Sequence, residues 1–417
     1  MPDLLAPGPG FDAAAARQIV WDDRTTLVLA NPAWLKRQPD AAGAASRLLP
    51  DLEGHLWVAT SGTSRHAGGG VRWVALSRRA ILASAAAVNR HLAATPADVW
   101  AHALPLFHVG GLGILARAHL SGASVHAAGS GAWDAVSFHG RLAEIGATLT
   151  ALVPSQVHDL VTAGLRPPSG LRAVVVGGAR LDPALYAAAR ELGWPCLPSY
   201  GLTEAASQVA TAPLASLASH AYPSVLPLLS HLRAREDEDG ILAVRGDSLL
   251  TCYAEVENDL VRTWDPRGEG GWFRTGDFGR VHGGGLEVRG RGSDAAKVLG
   301  ELVSLPGVEA RAARWASQEP ALAGLAIDLA VAALPHPRLG HELVLALATG
   351  DWPSEPDLDA RALADSLNRF DAAATLPFER VQRVAIVPAI PRTALGKCQR
   401  PLLAAVLLGR ANPPGAS

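Results

Sequence analysis

The amino-acid sequence predicts an α/β protein of two domains, on three observations. Its 417 residues are 49% hydrophobic, enough apolar material for two or three domain cores. From Leu56 to about Ser199, short apolar runs alternate with turns and helical stretches, the pattern of strand–helix units on a largely parallel sheet. From about Gly240 to Val288 the helical pattern gives way to short alternating segments broken by glycine and charge, which predicts a small antiparallel subdomain.

Taken in order, Leu56-Trp57-Val58-Ala59 reads as a strand ending in a loop at Thr60, and Ser77 caps a helix running to about His91. Further strands are expected at Val99 to Leu104, Leu149 to Val153 and Leu171 to Val176, each followed by helical periodicity. Ligand loops in such sheets lie at the carboxyl ends of strands. The Thr60 loop, Pro105 to Gly111, Gly177-Gly178 and Tyr200 to Glu204 all fall there, so they are expected to converge on one crevice. Beyond Val288, Gly290-Arg291-Gly292-Ser293-Asp294 is a compact polar stretch suited to a hinge. Apolar runs at Ala326 to Leu334 and Leu343 to Leu347, a helix from about Leu358 to Phe370 and a strand at Val384 to Val387 then predict a smaller α+β domain. The expected division is residues 1–291 and 294–417.

Composition excludes several classes. A net charge of -2 with positive residues scattered singly leaves no basic footprint for nucleic acid. Cys196, Cys252 and Cys398 are too few and too far apart for a disulfide framework or a zinc site. The N-terminus has neither a basic nor an apolar targeting region, and no apolar run approaches the ~18 residues of a membrane span. A cytoplasmic, reducing location is expected.

Four segments carry chemistry. Pro391-Arg392-Thr393-Ala394-Leu395-Gly396-Lys397 presents one of three lysines, with Lys36 and Lys297, on a glycine-tipped loop, where an ammonium acts as a point charge on a developing oxyanion. Thr60-Ser61-Gly62-Thr63-Ser64 packs hydroxyls and a glycine after a strand, as a phosphate cradle does, although such clusters are also ordinary turns. Ser199-Tyr200-Gly201-Leu202-Thr203-Glu204 offers a ring, a hydroxyl and a carboxylate, and Thr203 with Glu204 equally suits a helix start. Gly271-Trp272-Phe273-Arg274-Thr275-Gly276-Asp277 ends on a carboxylate.

In this order and spacing the four segments resemble the acyl-adenylate-forming (AMP-binding) superfamily of acyl- and aryl-CoA ligases, luciferases and peptide-synthetase adenylation domains. That resemblance implies an acyl-CoA synthetase-like fold: an N-terminally shortened adenylation domain and a mobile C-terminal domain carrying Lys397. Within it, Tyr200 stacks on adenine beside Gly177 and Gly178, Thr203 meets the α-phosphate, Glu204 holds magnesium, and Asp277 and Arg291 contact the ribose. Lys397 neutralises charge in adenylate formation and is withdrawn by rotation about the hinge before coenzyme A attacks. Two departures stand out. The family's Gly-x-Pro-Lys continuation is replaced by Arg65 to Val71 with three consecutive glycines, so either Arg72 takes the lysine's place or that cation is missing. Ser293 stands where the family has Asp or Lys.

Leu104-Pro105-Leu106-Phe107-His108-Val109-Gly110-Gly111-Leu112 with Arg117, Ser207-Gln208-Val209-Ala210-Thr211, and Lys297-Val298-Leu299-Gly300-Glu301 are most similar to the o-succinylbenzoate-CoA ligases of menaquinone synthesis. His108, Ser207, Gln208 and Thr211 then contact the acid. The resemblance implies ATP, Mg2+ and coenzyme A as reactants with an aromatic carboxylic acid, and it leaves a homodimer open. Two alternatives stand beside it: an aryl- or acyl-CoA ligase of another pathway, and a non-catalytic nucleotide-binding homologue.

Overall fold

A computed structural model describes residues 2–7, 12–32, 45, 47–59, 71–129, 133–257, 260–291, 294–298, 301–349, 359–370, 372, 375–392 and 398–410. The chain forms two compact units, residues 1–275 with 279–288, and residues 276–278 with 289–417.

The first unit holds the strand–helix alternation. Strands Val99–His102, Ser124–Ala127, Leu149–Leu152, Ala173–Val176 and Cys196–Leu202 pair in parallel. Ser207–Thr211 returns antiparallel along the Cys196–Leu202 edge. Leu149–Leu152 and Ala173–Val176 are buried at every position, as strands covered on both faces must be. Two of the connecting helices, Ala135–Glu144 and Pro183–Glu191, start at side-chain acceptors. Asp134 takes the Ser137 N–H and Asp182 the N–H groups of Ala184 and Leu185. The expected Ser77 cap is present, accepting the Ala80 N–H ahead of the Arg78–Leu92 helix.

Two expectations are corrected. His55–Ala59 belongs to a separate mixed sheet, ordered Asp3–Leu5, Leu27–Leu29, His55–Ala59, Val71–Ser77, Cys252–Glu257, Leu260–Trp264. It pairs antiparallel with Val71–Ser77. A short apolar run shows that a strand exists but not which sheet it joins. The stretch from Gly240 to Val288 is also not one subdomain. Ile241–Gly246, Phe273–His282 and Gly285–Arg291 share a five-stranded sheet, but the hairpin Cys252–Trp264 leaves it for the mixed sheet. Burial accompanies that choice: Ala254 joins Trp57 and Trp73, two large aromatic side chains, in one buried cluster.

The second unit pairs Asp328–His336 antiparallel with Gly340–Ala348, and the latter in parallel with Arg383–Ile386. The apolar runs read from sequence supply its core, with Val331, Leu343, Leu345, Leu347 and Val384 against Trp315, Leu363 and Leu367. The expected helix is Ala360–Arg369, capped by Asp359. Leu305–Ala316 is a further helix the sequence did not single out. Arg400, 7% exposed, fastens this unit. Its Nε donates to Asp294 Oδ1 at 2.8 Å, Nη1 and Nη2 donate to Glu309 at 2.7 and 2.9 Å, and Nη1 also reaches the Val331 carbonyl. Among the described residues no helix is long and apolar enough to cross a membrane.

Removing one partner from so enclosed a network strands the others. Arg400→Ala should therefore cost about 3 kcal/mol, read as a lower urea midpoint for the second unit. A change below about 0.5 kcal/mol, the scale of ordinary surface substitutions, would show that the network is not structural.

Candidate active site

Strand register brings two of the sequence motifs together. Val176 pairs with Pro198, so Gly177 follows beside Ser199; a Cβ on Gly177 would lie 3.7 Å from the Ser199 carbonyl oxygen. Gly178, at φ 81°, turns the chain away and sits against Val153. Tyr200 then occupies the middle of Cys196–Leu202, half-buried against the main core.

The chain reverses over four residues. Thr203–Ala205 is a single 3-10 turn, Ala206 is left-handed at φ 55° and Ser207 lies at φ 131°. Thr203 is thus the first residue of the turn and Leu202 its cap, so the helix start expected at Thr203 and Glu204 is one 3-10 turn. The reversal is so tight that a Cβ on Gly201 would stand 2.1 Å from the Ser207 carbonyl oxygen. A glycine is required there by space.

Of the residues expected to meet the acid, Ser207, Gln208 and Thr211 lie on one strand, Ser207–Thr211. All three are buried. The Thr211 hydroxyl donates to Gln208 Oε1 at 2.7 Å and lies 2.9 Å from Ser199 Oγ, so Gln208 and Thr211 are partly committed to each other. Against Ser207 stands Arg117, from the helix Val109–Ser121. Its side chain is 1% exposed. Its Nη2 donates to Ser207 Oγ at 3.3 Å, and its guanidinium carbon stands 5.6 Å from the Trp100 ring centroid. Nε and Nη1 have no hydrogen-bond partner among the described residues. Burial pushes its pKa down to about 10, so it is cationic at neutral pH. Gly113, one turn earlier, gives the guanidinium room, since a Cβ there would lie 2.9 Å from Nη2.

His108 precedes this helix without capping it by its side chain. Its ring packs 4.7 Å from that of Phe107, and burial lowers its pKa. The following Gly111 admits the Pro105 carbonyl, which would be 2.3 Å from a Cβ.

Glu204 is held from an unforeseen direction. Its Oε1 accepts the Tyr253 hydroxyl at 2.7 Å and its backbone carbonyl accepts the Leu250 N–H at 2.8 Å. Arg72, one candidate for the family's loop lysine, is engaged elsewhere: it pairs with Glu255 at 2.8 Å across the strands and stacks 5.0 Å from the Tyr253 ring centroid. Period-2 alternation in Cys252–Glu257 puts Tyr253 and Glu255 on one face, a signal that could have found both.

Asp277 is buried within Phe273–His282 and Arg291 ends the strand Gly285–Arg291. Thr60, Ser61, Gly62, Thr63, Ser64, Ser293 and Lys397 lie outside the described residues. Among the described residues no group of three or more His, Cys, Asp or Glu side chains could hold a metal ion. Magnesium carried on ATP uses only one or two carboxylates, with phosphates and water completing its shell, so Glu204 with one oxygen engaged fits that ion.

Residues 60–254 match the AMP-binding enzyme family. A probable 2-succinylbenzoate–CoA ligase of Mycobacterium tuberculosis is 28% identical over 366 residues, 86% of this chain and 85% of the relative. The 2-succinylbenzoate–CoA ligase of Bacillus pumilus is 30% identical over 222 residues, 51% of this chain and 44% of that enzyme. In three dimensions the chain is similar to the o-succinylbenzoate CoA synthetase of Bacillus subtilis solved with its acyl-adenylate intermediate, at TM-score 0.68 and 22% identity over 91% of this chain and 78% of that one. At that identity the likeness speaks for the fold, the mixed α/β architecture of acyl-CoA synthetases.

Replacing Gly201 by alanine forces backbone against backbone. Gly201→Ala should cost about 1–3 kcal/mol and weaken ATP binding with it, measured by urea denaturation and calorimetry. Unchanged stability would mean that the turn relaxes freely.

Proposed function

We propose that this chain is an AMP-forming acid–thiol ligase acting on o-succinylbenzoate. The observation that carries the specific substrate is Arg117: a buried cation with two unpartnered nitrogens, beside Ser207. O-succinylbenzoate has a second carboxylate, remote from the one activated, and a planar guanidinium receives such a group through two parallel hydrogen bonds. The similarity to 2-succinylbenzoate–CoA ligases along most of the chain supports the same reading.

In the first half-reaction the acid's carboxylate oxygen attacks the α-phosphorus of ATP, and the bond to the β-phosphate oxygen breaks, releasing pyrophosphate. In the second, the thiol of coenzyme A loses its proton and attacks the acyl carbon, and AMP leaves with the carbon–oxygen bonding pair. Tyr200 stacks on the adenine beside Gly177 and Gly178, Asp277 and Arg291 take the ribose, and Thr203 meets the α-phosphate. Glu204 would hold magnesium, which would supply neutralisation of phosphate charge. Thr60 to Ser64 cradle phosphate oxygens, and His108 borders the acyl site. Lys397 supplies the cation for the first half-reaction, on a mobile domain of residues 294–417.

A second reading, nucleotide binding without catalysis, draws on Arg72. Its ion pair with Glu255 ties it to the sheet instead of the phosphate loop. ATP binding without any pyrophosphate exchange would favour that reading.

Pyrophosphate release from a panel of carboxylic acids tests the substrate. O-succinylbenzoate should far exceed benzoate, and equal turnover would promote a general aryl-CoA ligase instead. Arg117→Met should lower kcat/KM for o-succinylbenzoate about 10–100-fold, the worth of one charge-assisted hydrogen bond, leaving benzoate unchanged. Lys397→Ala should slow adenylate formation by ~10²–10³-fold; a mutant that makes adenylate normally and fails only with coenzyme A would refute that assignment.

A further inference from the structure

Glu204 is gripped by one short segment at both its backbone and its side chain. The Leu250 N–H holds its carbonyl, and three residues later the Tyr253 hydroxyl holds Oε1. The carboxylate therefore cannot turn without breaking a 2.7 Å bond from a side chain that is itself 7% exposed. The phenol in turn is fixed by its surroundings. Trp264 lies 5.3 Å from the Tyr253 ring at 47°, and Phe273 lies 6.5 Å away at 66°. Arg72 caps the ring at 5.0 Å while its own head group is held by Glu255. Strand register sets all of this, because Arg72 faces Glu255, and Tyr253 faces both Val74 and Trp264. A tyrosine buried for packing alone would be replaceable by phenylalanine without consequence; here the hydroxyl ends on the carboxylate proposed to meet the metal.

We propose that Tyr253 is a positioning residue for Glu204, occupying one carboxylate oxygen so that the other is presented to a divalent cation on ATP. The carboxylate is thereby restricted to one-oxygen coordination in a fixed orientation. Outer-shell partners of this kind orient metal ligands and tune affinity. The inference rests on the reading of Glu204 as the metal carboxylate, and its test is separable from turnover.

The experiment is a titration of Mn2+ into the full-length protein with ATP and no acid substrate, read by loss of the free-ion electron paramagnetic resonance signal. Tyr253→Phe should weaken Mn2+ binding about tenfold, Glu204→Gln should weaken it at least as much, and ATP affinity without metal should stay constant. Excess Mn2+ should restore ATP binding in Tyr253→Phe, which a packing defect would not allow, and near-UV circular dichroism reports whether the ring is still seated. Mn2+ affinity unchanged in Tyr253→Phe would overturn the positioning role. A misfolded Tyr253→Phe that metal does not rescue would also overturn it, making the hydroxyl a stability element. Unchanged affinity in Glu204→Gln would remove the premise. Tyr253-dependent Mn2+ binding in a protein that releases no pyrophosphate with any acid would uphold the inference and sink the ligase reading.

Discussion

The site in the first unit depends on the space between Gly201 and Ser207. Because no Cβ stands at Gly201, the Ser207 carbonyl can approach to a distance that any other residue would forbid, and the chain can reverse over four residues. That reversal places Tyr200 on the outgoing strand and Ser207, Gln208 and Thr211 on the returning one. It leaves Glu204 at the tip, within reach of Tyr253. Left-handed Ala206 and Ser207 at φ 131° show that the turn is strained as well as tight, and a strain of this size persists only where neighbours over-determine it. The two bonds to Glu204 and the buried pairing of the hairpin supply that support.

Arg72, Tyr253 and Arg117 show the limits of reading function from a loop's position. Arg72 lies where a phosphate cation is expected, yet strand pairing sets it opposite Glu255. Tyr253 lies in a stretch with no motif of its own, yet pairing of Cys252–Glu257 with Val71–Ser77 delivers it to Glu204. The direction of Arg117 could not be read from its place in the chain; a helix facing a returning strand turns it inward.

Local patterns legible in the sequence were those whose cause is local. Ser77 and its helix and the Asp328–His336 and Gly340–Ala348 runs follow from a cap and from apolar period. What the sequence withheld was long-range: the sheet that His55–Ala59 joins, the departure of Cys252–Trp264 from its neighbours, and the phenol on Glu204. Each depends on which of several apolar faces a strand finds, a choice decided by the total area buried.

The guanidinium of Arg117 has a thermodynamic consequence for the whole first unit. Among the described residues two of its nitrogens have no hydrogen-bond partner, and a buried cation left without partners raises the free energy of the folded state relative to the unfolded chain, where water solvates it. An anion seated against it relieves that penalty only in the folded state. If an anion binds there as proposed, ligation and folding are linked, and part of the anion's apparent affinity would be recovered conformational stability. If the proposed acid binds there, the same linkage would disfavour acids without a second charge, which would leave the cation uncompensated.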